Sequence, residues 1–198
     1  MLVGNEASPQ NVVLDGEGFR DTGILVLGLA SVRGMEITGF VEEGLEVDWG
    51  GLFVRNCRII GNGSVAPWGS GIGVYEAHAE VVDTIIASNF HLGIQVSEGA
   101  SSLELDNCQI TGNGTHGIEV ADMGDVEVDG PLVIQNNGGI GVYVKDNSCV
   151  DFHGRGDLTI QSNTGGSMES SYHSTIRGYG NGSTGGCVAA DAHSICEP

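Results

Sequence analysis

The chain has 198 residues, enough for one domain with a substantial core, and its 40 % of hydrophobic residues excludes a disordered tail. Glycine is very common, with 34 residues, whereas aromatic residues contribute only 6 %. The formal net charge is −19, from 26 acidic and 7 basic residues. Because such a surface repels nucleic-acid phosphates and anionic membranes, we expect neither nucleic acid nor a membrane surface as a partner.

The excess of acidic residues has two interpretations, and both stay open. Lys145 is the only lysine in the chain. The protein is either an ordinary acidic protein or one adapted to high salt, in which ions screen the repulsion between carboxylates. A carboxylate-rich, lysine-poor surface stays hydrated under such conditions.

The first ten residues, MLVGNEASPQ, are interpreted as a lead-in segment, 1–10. They have neither a basic n-region nor an apolar h-region, so no signal peptide is predicted here. Further along, no apolar stretch approaches the roughly 20 residues that a membrane span requires. We therefore expect no membrane insertion.

From residue 11 onward the chain repeats one phrase. Segment 107–120 reads NCQITGNGTHGIEV, and its relatives read NCRIIGNG, DTIIASNFHLGIQV and PLVIQNNGGIGV. Each copy has an apolar residue at one position, and these residues are Ile59, Ile86, Ile110, Val133 and Ile160. An asparagine follows each of them three positions later, which gives Asn62, Asn89, Asn113, Asn136 and Asn163.

A second recurring element is a Gly-apolar-x-Val step. Its glycines are Gly23, Gly44, Gly71, Gly93, Gly117 and Gly139, with successive spacings of 21 to 27 residues. This period, with short β-branched runs and no helical periodicity, predicts a solenoid of strands. Leucine-rich repeats have a similar length, but they need a leucine-dense consensus and a helical return. Each repeat here supplies three short strands, such as SLELD, CQIT and GIEV, which is typical of a parallel β-helix.

The recurring asparagines predict a ladder at one corner of the solenoid. Asparagine tolerates a left-handed backbone better than most residues, and stacked amides can hydrogen-bond along the axis. Cys57 and Cys108 occupy the same repeat position two repeats apart, which places them roughly 10 Å apart, too far for a disulfide. We therefore expect both to be small core residues. Cys187 and Cys196 lie close enough in sequence to form a local bridge in an oxidising setting.

Residues 11–163 resemble the right-handed parallel β-helix of the pectin-lyase-like superfamily. That group includes pectate lyases, polygalacturonases, alginate epimerases, bacteriophage tailspikes and adhesins. The resemblance implies an all-β fold, a single-stranded right-handed parallel β-helix of six to seven coils over 11–163. The Gly- and Ser-rich segment 164–198 loses the register and is expected to be a cap or attachment tail. Solenoid ends expose unpaired strand edges, so we expect the first coil to meet another subunit, domain or protein.

The enzymes of this superfamily carry recognisable catalytic motifs, and this sequence lacks them. Polygalacturonases use an Asn-Thr-Asp step, a paired Asp-Asp and a His-Gly; alginate epimerases use Asp-Pro-His-Glu; pectate lyases use Trp-Ile-Asp-His. Here His-Gly occurs at His116 and His153 without the paired aspartates. No catalytic residue is therefore predicted.

A regular array of carboxylates is the best candidate site. Segments 103–106 (LELD), 126–129 (VEVD) and 150–153 (VDFH) align with apolar residues inward and acids outward. Glu104, Glu127 and Asp151 are expected in one outward column, and Asp106, Asp129 and His153 in another. The interpretations are a solvated acidic face, a cation column with Glu104, Glu127, Asp106 and Asp129 as ligands, or a catalytic pair. Calcium is the candidate cofactor, with sodium or potassium as alternatives, and catalysis is disfavoured because a general acid needs burial.

The longest insertion in the repeats, GNGSVAPWGSG, carries Pro67 and Trp68. A flat aromatic ring on the flank of a β-helix suits sugar stacking or a protein contact. The alternative is that Trp68 folds back and covers the coil beneath it. Pro67 and Trp68 are therefore the predicted ligand-binding residues.

Three functions are compatible with these observations. The first is a non-enzymatic virion component, such as a tail fibre, spike or capsid decoration that binds a host, including a host from salty water. That function implies an extracellular, virion-surface or cell-surface location, a homo-oligomer with a trimer favoured, and contacts with other virion proteins or a cell-surface glycan. The second is a polysaccharide-active lyase, hydrolase or epimerase. The third is a fragment of a secreted adhesin.

Overall fold

The computed structural model describes residues 1–64, 69–153, 157–178, 183–184 and 186–198. Within these ranges the only helical element is a single 3-10 turn at Pro9–Asn11, and everything else is strand, turn or coil. None of the described residues forms a helix with the length and apolarity to cross a membrane.

Short strands follow one another along the whole chain. In chain order they are β1 (Leu2–Val3), β2 (Val13–Arg20), β3 (Ile24–Val26), β4 (Leu29–Arg33), β5 (Glu36–Phe40), β6 (Leu45–Asp48), β7 (Gly51–Arg55), β8 (Arg58–Ile60), β9 (Ser70–Tyr75), β10 (His78–Val82), β11 (Ile85–Ala87), β12 (Leu92–Ser97), β13 (Ser102–Asp106), β14 (Cys108–Thr111), β15 (Ile118–Val120), β16 (Asp125–Val128), β17 (Leu132–Gln135), β18 (Ile140–Val144), β19 (Cys149–Phe152), β20 (Leu158–Gln161), β21 (Gly166–Ser170), β22 (Thr175–Arg177), β23 (Ser183–Thr184), β24 (Cys187–Ala189) and β25 (Ile195–Glu197).

The strands form three long sheets, and each strand pairs in parallel with the strand three places later. Sheet A contains β1, β4 and every third strand to β25; sheet B runs from β2 to β23; sheet C runs from β3 to β24. The chain therefore winds once around the axis for every three strands. This is the predicted all-β parallel solenoid, and the prediction is confirmed.

The core is the interior of the winding, where alternate residues of each strand point inward. In β13, for example, Leu103 and Leu105 are each 1 % exposed while Glu104 between them is half-buried on the outside. Like residues stack on like residues in adjacent coils. The inner column of sheet B contains Ile37, Ile59, Ile86, Ile110, Ile134 and Ile160, all fully buried. Each buried isoleucine contributes about 1.5–3 kcal/mol, so the column alone is a large part of the stability.

A ladder of asparagine side chains runs parallel to this isoleucine column. Asn62, Asn89, Asn113 and Asn137 each donate from Nδ2 to Oδ1 of the next asparagine, at 3.2, 3.0, 2.9 and 2.8 Å, and Asn163 ends the row. The same Oδ1 atoms accept the backbone N–H of the preceding asparagine. Each of these four side-chain amides also donates to the carbonyl oxygen of an isoleucine in the preceding coil, as Asn62 does to Ile37. The buried amides are therefore well satisfied.

The structure corrects one member of the predicted ladder, because Asn137 rather than Asn136 lies in the row. Ile134 pairs with both Ile110 and Ile160, so the asparagine three positions beyond Ile134 enters the ladder. Asn136 is exposed and has a φ of 57°, so it occupies the left-handed turn before the ladder residue. The predicted apolar position Val133 is half-buried and pairs with Gln109.

The following glycine is displaced too, by two positions. Val142 pairs with Ile118, which places Gly141 rather than Gly139 opposite Gly117. A Cβ at Gly117 would lie 2.6 Å from the Gly141 carbonyl oxygen, so this column leaves room only for glycine. In this coil, therefore, the residues from Asn136 to Gly141 do not occupy the repeat positions that the sequence spacing predicts for them.

Strands β21 to β25 extend the three sheets beyond residue 163, into the segment expected to be a cap or tail. Met168 and Ile176, which are 2 % and 0 % exposed, continue the inner columns without the asparagine phrase. A disulfide between Cys187 and Cys196 joins β24 to β25, with Cα atoms 5.9 Å apart. Cys57 and Cys108 are buried free thiols.

The two adjacent asparagines give a direct test of the ladder. Replacing Asn137 by alanine leaves the buried backbone N–H of Asn113 and one hydrogen of its side-chain amide without an acceptor, so we expect a loss of about 2–4 kcal/mol in the free energy of unfolding. Replacing Asn136 by glycine keeps the left-handed turn, so the expected change is within about 0.5 kcal/mol. Urea titrations followed by circular dichroism measure both; a larger loss for the Asn136 variant would contradict the assigned register.

Candidate functional site

The outer face of sheet A carries a row of four acidic side chains. Glu80, Glu104, Glu127 and Asp151 are direct partners on successive strands, roughly 4.8 Å apart from strand to strand. The predicted neighbours Glu104 and Glu127 thus lie side by side, and Glu80 extends their row by one strand. Arg177 on β22 follows Asp151 and ends the run of negative charge.

A second row lies where these strands end, and it contains Asp106, Asp129 and His153. The backbone N–H of Asp129 donates to the Leu105 carbonyl oxygen, and that of His153 donates to Val128, so ladder hydrogen bonds hold the row in place. Asp106 and Asp129 line a shallow depression together with Glu80 and Glu104 from the first row. The two rows therefore form one continuous acidic surface.

Repulsion along the rows sets the electrostatic character of this surface. Like charges opposite each other on neighbouring strands destabilise a sheet. At the strand spacing, each pair repels by about 1 kcal/mol in water of low ionic strength. Salt reduces the interaction strongly, because the Debye length falls from about 10 Å at 0.1 M to about 3 Å at 1 M. Repulsion within the acidic surface therefore destabilises the fold less when cations are abundant.

One corner of the surface brings three possible metal ligands together. One ligand atom each from Glu127, Asp129 and His153 lie within 4.8 Å of one another. Two carboxylates and an imidazole suit a divalent transition metal, whereas calcium prefers oxygen ligands alone. The predicted carboxylate set of Glu104 and Asp106 lies one strand away in the same register. His153 is thus an additional ligand candidate that the carboxylate pattern alone did not select.

His153 and Asp129 form a hydrogen-bonded pair at the solvent surface. The distance from His153 Nδ1 to Asp129 Oδ1 is 2.9 Å. The hydrogen bond to Asp129 raises the pKa of His153, and the charges of Asp151 and Glu127 act in the same direction. The positive charge that His153 gains on protonation compensates part of the acidic row.

Three residues named from the sequence remain, the predicted ligand-binding pair and the histidine of the first His-Gly step. Pro67 and Trp68 lie outside the described residues. His116 lies just before strand β15 of sheet C, where its Nδ1 accepts the backbone N–H of Ile140 at 2.9 Å. Burial lowers the pKa of His116, and Glu119 is its nearest acidic partner at 3.9 Å.

A polar cluster that the sequence analysis missed lies on the outer face of sheet C. The Thr22 hydroxyl is 3.0 Å from Glu46 Oε2 and 3.5 Å from Glu43 Oε2. The Tyr75 hydroxyl is 3.1 Å from Gln95 Oε1 and 3.4 Å from Glu43 Oε1. Glu43 is only 6 % exposed, so a carboxyl group is buried here without a basic partner in the network.

Two features of the repeat build this cluster. Thr22 and Glu43 both directly precede the glycine of the Gly-apolar-x-Val step, so they stack in adjacent coils. Gly73 leaves a gap on the outer face, and the Tyr75 ring lies back across it: a Cβ at Gly73 would be 2.7 Å from the ring. The Tyr75 hydroxyl thereby reaches the Glu43 carboxyl. The sequence carries no clear signal for this cluster, because polar residues also precede other glycines of the step, as Ser70 and His116 do.

Residues 10–164 match the family model described as "Right handed beta helix region". No curated protein matches the chain. The matched range covers strands β2 to β20 and therefore both acidic rows and the Glu43 cluster.

The His153–Asp129 pair can be tested by titration. Replacing Asp129 by asparagine removes the carboxylate that raises the pKa of His153, so the pKa should move back toward its ordinary value of 6.5. Histidine side-chain NMR shifts recorded against pH measure the change. Replacing Asp106 by asparagine serves as the control, because that carboxylate is in the same row but has no hydrogen bond to His153; equal shifts in both variants would contradict the pairing.

Proposed function

The chain belongs to the right-handed β-helix family, and we propose that it is a non-enzymatic structural and host-binding component of a virion. In this proposal the β-helix forms part of a tail fibre, a spike or a capsid decoration. The observation that carries the proposal is the open acidic surface on sheet A. Asp106, Asp129 and His153 are exposed and Glu127 is half-buried, whereas a catalytic acid needs burial to shift its pKa. The surface is therefore suited to contact with ions and partners rather than to bond cleavage.

The two rows support a role in a salty environment. Glu80, Glu104, Glu127 and Asp151 form a row of like charges that abundant cations would stabilise, and the whole chain has a formal charge of −19. We propose that the rows bind cations, with calcium as the divalent candidate at Glu104, Glu127, Asp106 and Asp129. A virus of a halophilic host fits this chemistry. The protein would then work outside the cell, on the virion surface.

Exposed apolar side chains near the first coil support assembly with other protein. Phe19, Leu27 and Leu29 are 83, 67 and 93 % exposed, and β3 is the edge strand of sheet C. Exposed apolar groups beside an unpaired strand edge favour contact with protein. We propose a homo-oligomer, with a trimer favoured, that also contacts other virion proteins. We also propose that a cell-surface glycan stacks on Trp68 and Pro67.

One observation favours a second function, a polysaccharide-active enzyme. Burial raises the pKa of Glu43 to about 7, and Glu46 adds to the shift. A carboxylic acid that stays protonated near neutral pH beside a second carboxylate is the pairing that glycosidases use. The low exposure of Glu43 argues against it, because a catalytic acid must reach its substrate.

Two measurements distinguish these functions. Purified particles or cell envelopes that contain this chain at fixed stoichiometry, as shown by quantitative mass spectrometry, would support the structural role. Incubation with a panel of polysaccharides, with and without calcium, should release neither new reducing ends nor unsaturated products. Turnover that disappears in a Glu43→Gln variant would overturn the proposal in favour of the enzyme.

The salt dependence of stability tests the acidic surface. Replacing Glu104 and Glu127 together by glutamine removes the central repulsion, so the variant should be more stable than the wild type at low salt by about 1–2 kcal/mol. The gain should shrink as KCl rises to molar concentration, because salt already screens the wild-type charges. Thermal unfolding across a KCl series, repeated with calcium at constant ionic strength, measures both effects.

The control for this experiment removes the same charge elsewhere. Asp21 and Asp157 are exposed and lie outside both rows, so replacing both by asparagine should leave most of the salt dependence unchanged. A calcium-specific gain that the wild type shows and the Glu104/Glu127 variant lacks would support ligation. Identical salt curves for all three proteins would contradict the proposed role of the rows.

A further inference from the structure

The disulfide between Cys187 and Cys196 lies at the C-terminal end of the solenoid interior. Cys187 pairs with Met168, so it continues the inner column of sheet C into the last strand of that sheet. Cys196 pairs with Ile176 and does the same for the inner column of sheet A. The bond therefore joins the final positions of two inner columns. Its Cα atoms are 5.9 Å apart, an ordinary distance for a disulfide.

Both columns are apolar and buried up to these cysteines. The residues directly beneath the bridge are Val142 and Met168 on sheet C and Val150 and Ile176 on sheet A, and none of them is more than 2 % exposed. Cys187 itself packs against this hydrophobic core and is half-buried. The bridge therefore forms part of the layer that separates the apolar interior from solvent at this end.

A contact with the coil beneath shows that Cys196 faces inward. Its Sγ lies 3.6 Å from the Oγ of Ser170, a side chain that is 0 % exposed. The same hydroxyl donates to the carbonyl oxygen of Ile195 at 3.3 Å. Because Ser170 belongs to β21 in the preceding coil, the bridge contacts that coil as well as joining the two last strands.

The last coil has little other apolar packing to hold it. Among the described residues 186–198, the bridged cysteines are the only apolar side chains that are not fully exposed. The backbone contributes hydrogen bonds: the N–H of Ala190 donates to the Ser170 carbonyl oxygen at 2.8 Å, and that of Ile195 donates to Ser174 at 2.9 Å. The described part of this coil thus lacks the buried aliphatic residues that stabilise the interior coils.

We propose that the Cys187–Cys196 disulfide is a redox-controlled cap, which holds the last coil closed over Met168 and Ile176 while bridged and releases it when reduced. The ends of a solenoid expose unpaired strand edges and an apolar interior, and terminal repeats must cover them. Here a covalent bond supplies the hold that apolar packing supplies elsewhere. In the reduced protein, the edges of β21 and β22 and the residues beneath the bridge become accessible.

A small dithiol opens the cap by thiol–disulfide exchange. A thiolate of the reductant attacks one sulfur of the bridge, which breaks the S–S bond and forms a mixed disulfide. The second thiol of the reductant then closes a cyclic disulfide and releases the remaining cysteine. Two electrons and two protons pass to the protein, which gains two thiols, while the dithiol is oxidised. Both bridged cysteines are half-buried rather than sealed in the core, so the reductant has access to them.

The size of the effect follows from the loop that the bridge closes. Cys187 and Cys196 are 9 positions apart, so an opened last coil stays a short closed loop while the bridge is intact. Reduction frees this loop and raises the conformational entropy of the open state, which should increase the opening equilibrium roughly 100-fold. Coils in the middle of the solenoid contact only their neighbours, so their opening should not change.

Hydrogen exchange measured by NMR on the intact chain, with and without dithiothreitol, tests the cap. Protection of the Ala190 and Ile195 amides, which donate to the preceding coil, should fall roughly 100-fold on reduction. The Ser102 amide donates to the Ala77 carbonyl oxygen in the middle of the solenoid, and its protection should stay the same. Alkylation of the released thiols, followed by mass spectrometry, verifies that reduction is complete.

Two variants separate the bridge from other effects of the reductant. The Cys187→Ser/Cys196→Ser double variant should show the exchange pattern of the reduced protein without any reductant. Cys149→Ser is the matched control, because Cys149 is a half-buried free thiol on the outer face of sheet A, and this variant should respond to reduction as the wild type does. Unchanged protection of Ala190 and Ile195 in the fully reduced wild type would overturn the proposal. An equal loss of protection at Ser102 would also overturn it, since the bridge would then hold the whole fold and not its end.

Discussion

Buried amides that must find partners fix the register of the entire solenoid. Asn113, for example, accepts from Asn89 in the coil before it, donates to the Asn137 side chain in the coil after it, and donates to the Ile86 carbonyl oxygen. A coil that slipped by one residue would replace several satisfied hydrogen bonds by unpaired polar groups in the core, at about 1–3 kcal/mol each. It would also turn the inward isoleucines outward. Loop lengths can vary between coils because the ladder restores alignment in every turn.

Fixed register has a consequence for the surface, because residues at the same repeat offset become direct neighbours. On sheet A this places Glu80, Glu104, Glu127 and Asp151 side by side, an arrangement that an isolated strand would not experience. On sheet C it stacks Thr22 on Glu43. Repetition that favours the core therefore concentrates like charges outside, and the surroundings of the protein must compensate them.

Periodicity alone identified the fold, since the winding depends on features that recur locally: an inward aliphatic residue, an asparagine and a glycine. It assigned Asn136 instead of Asn137 because adjacent asparagines in QNNG fit the spacing equally well, and only pairing with Ile110 and Ile160 decides between them. The coils beyond residue 163 were not predicted because the sheets require only inward apolar residues there, such as Met168.

The candidate site was predictable to a different extent. The acidic rows follow from register, so Glu104 and Glu127 could be placed together from the sequence. The cluster around Glu43 could not, since it depends on a ring that crosses Gly73 and on contacts among residues from four coils. Burial of one carboxyl among many is a property of the assembled surface, and no pattern of residues along the chain encodes it.

The two acidic regions differ in their access to the solvent. Ions reach the exposed rows of sheet A, so salt concentration controls their repulsion, but ions screen a buried group much less. Glu43 is only 6 % exposed, and this burial raises the pKa of its carboxyl. Each coil of a solenoid contacts only its neighbours, so a change in one coil affects mainly the coils beside it. The repeat architecture thus places an exposed acidic surface and a buried carboxyl in separate parts of a single continuous fold.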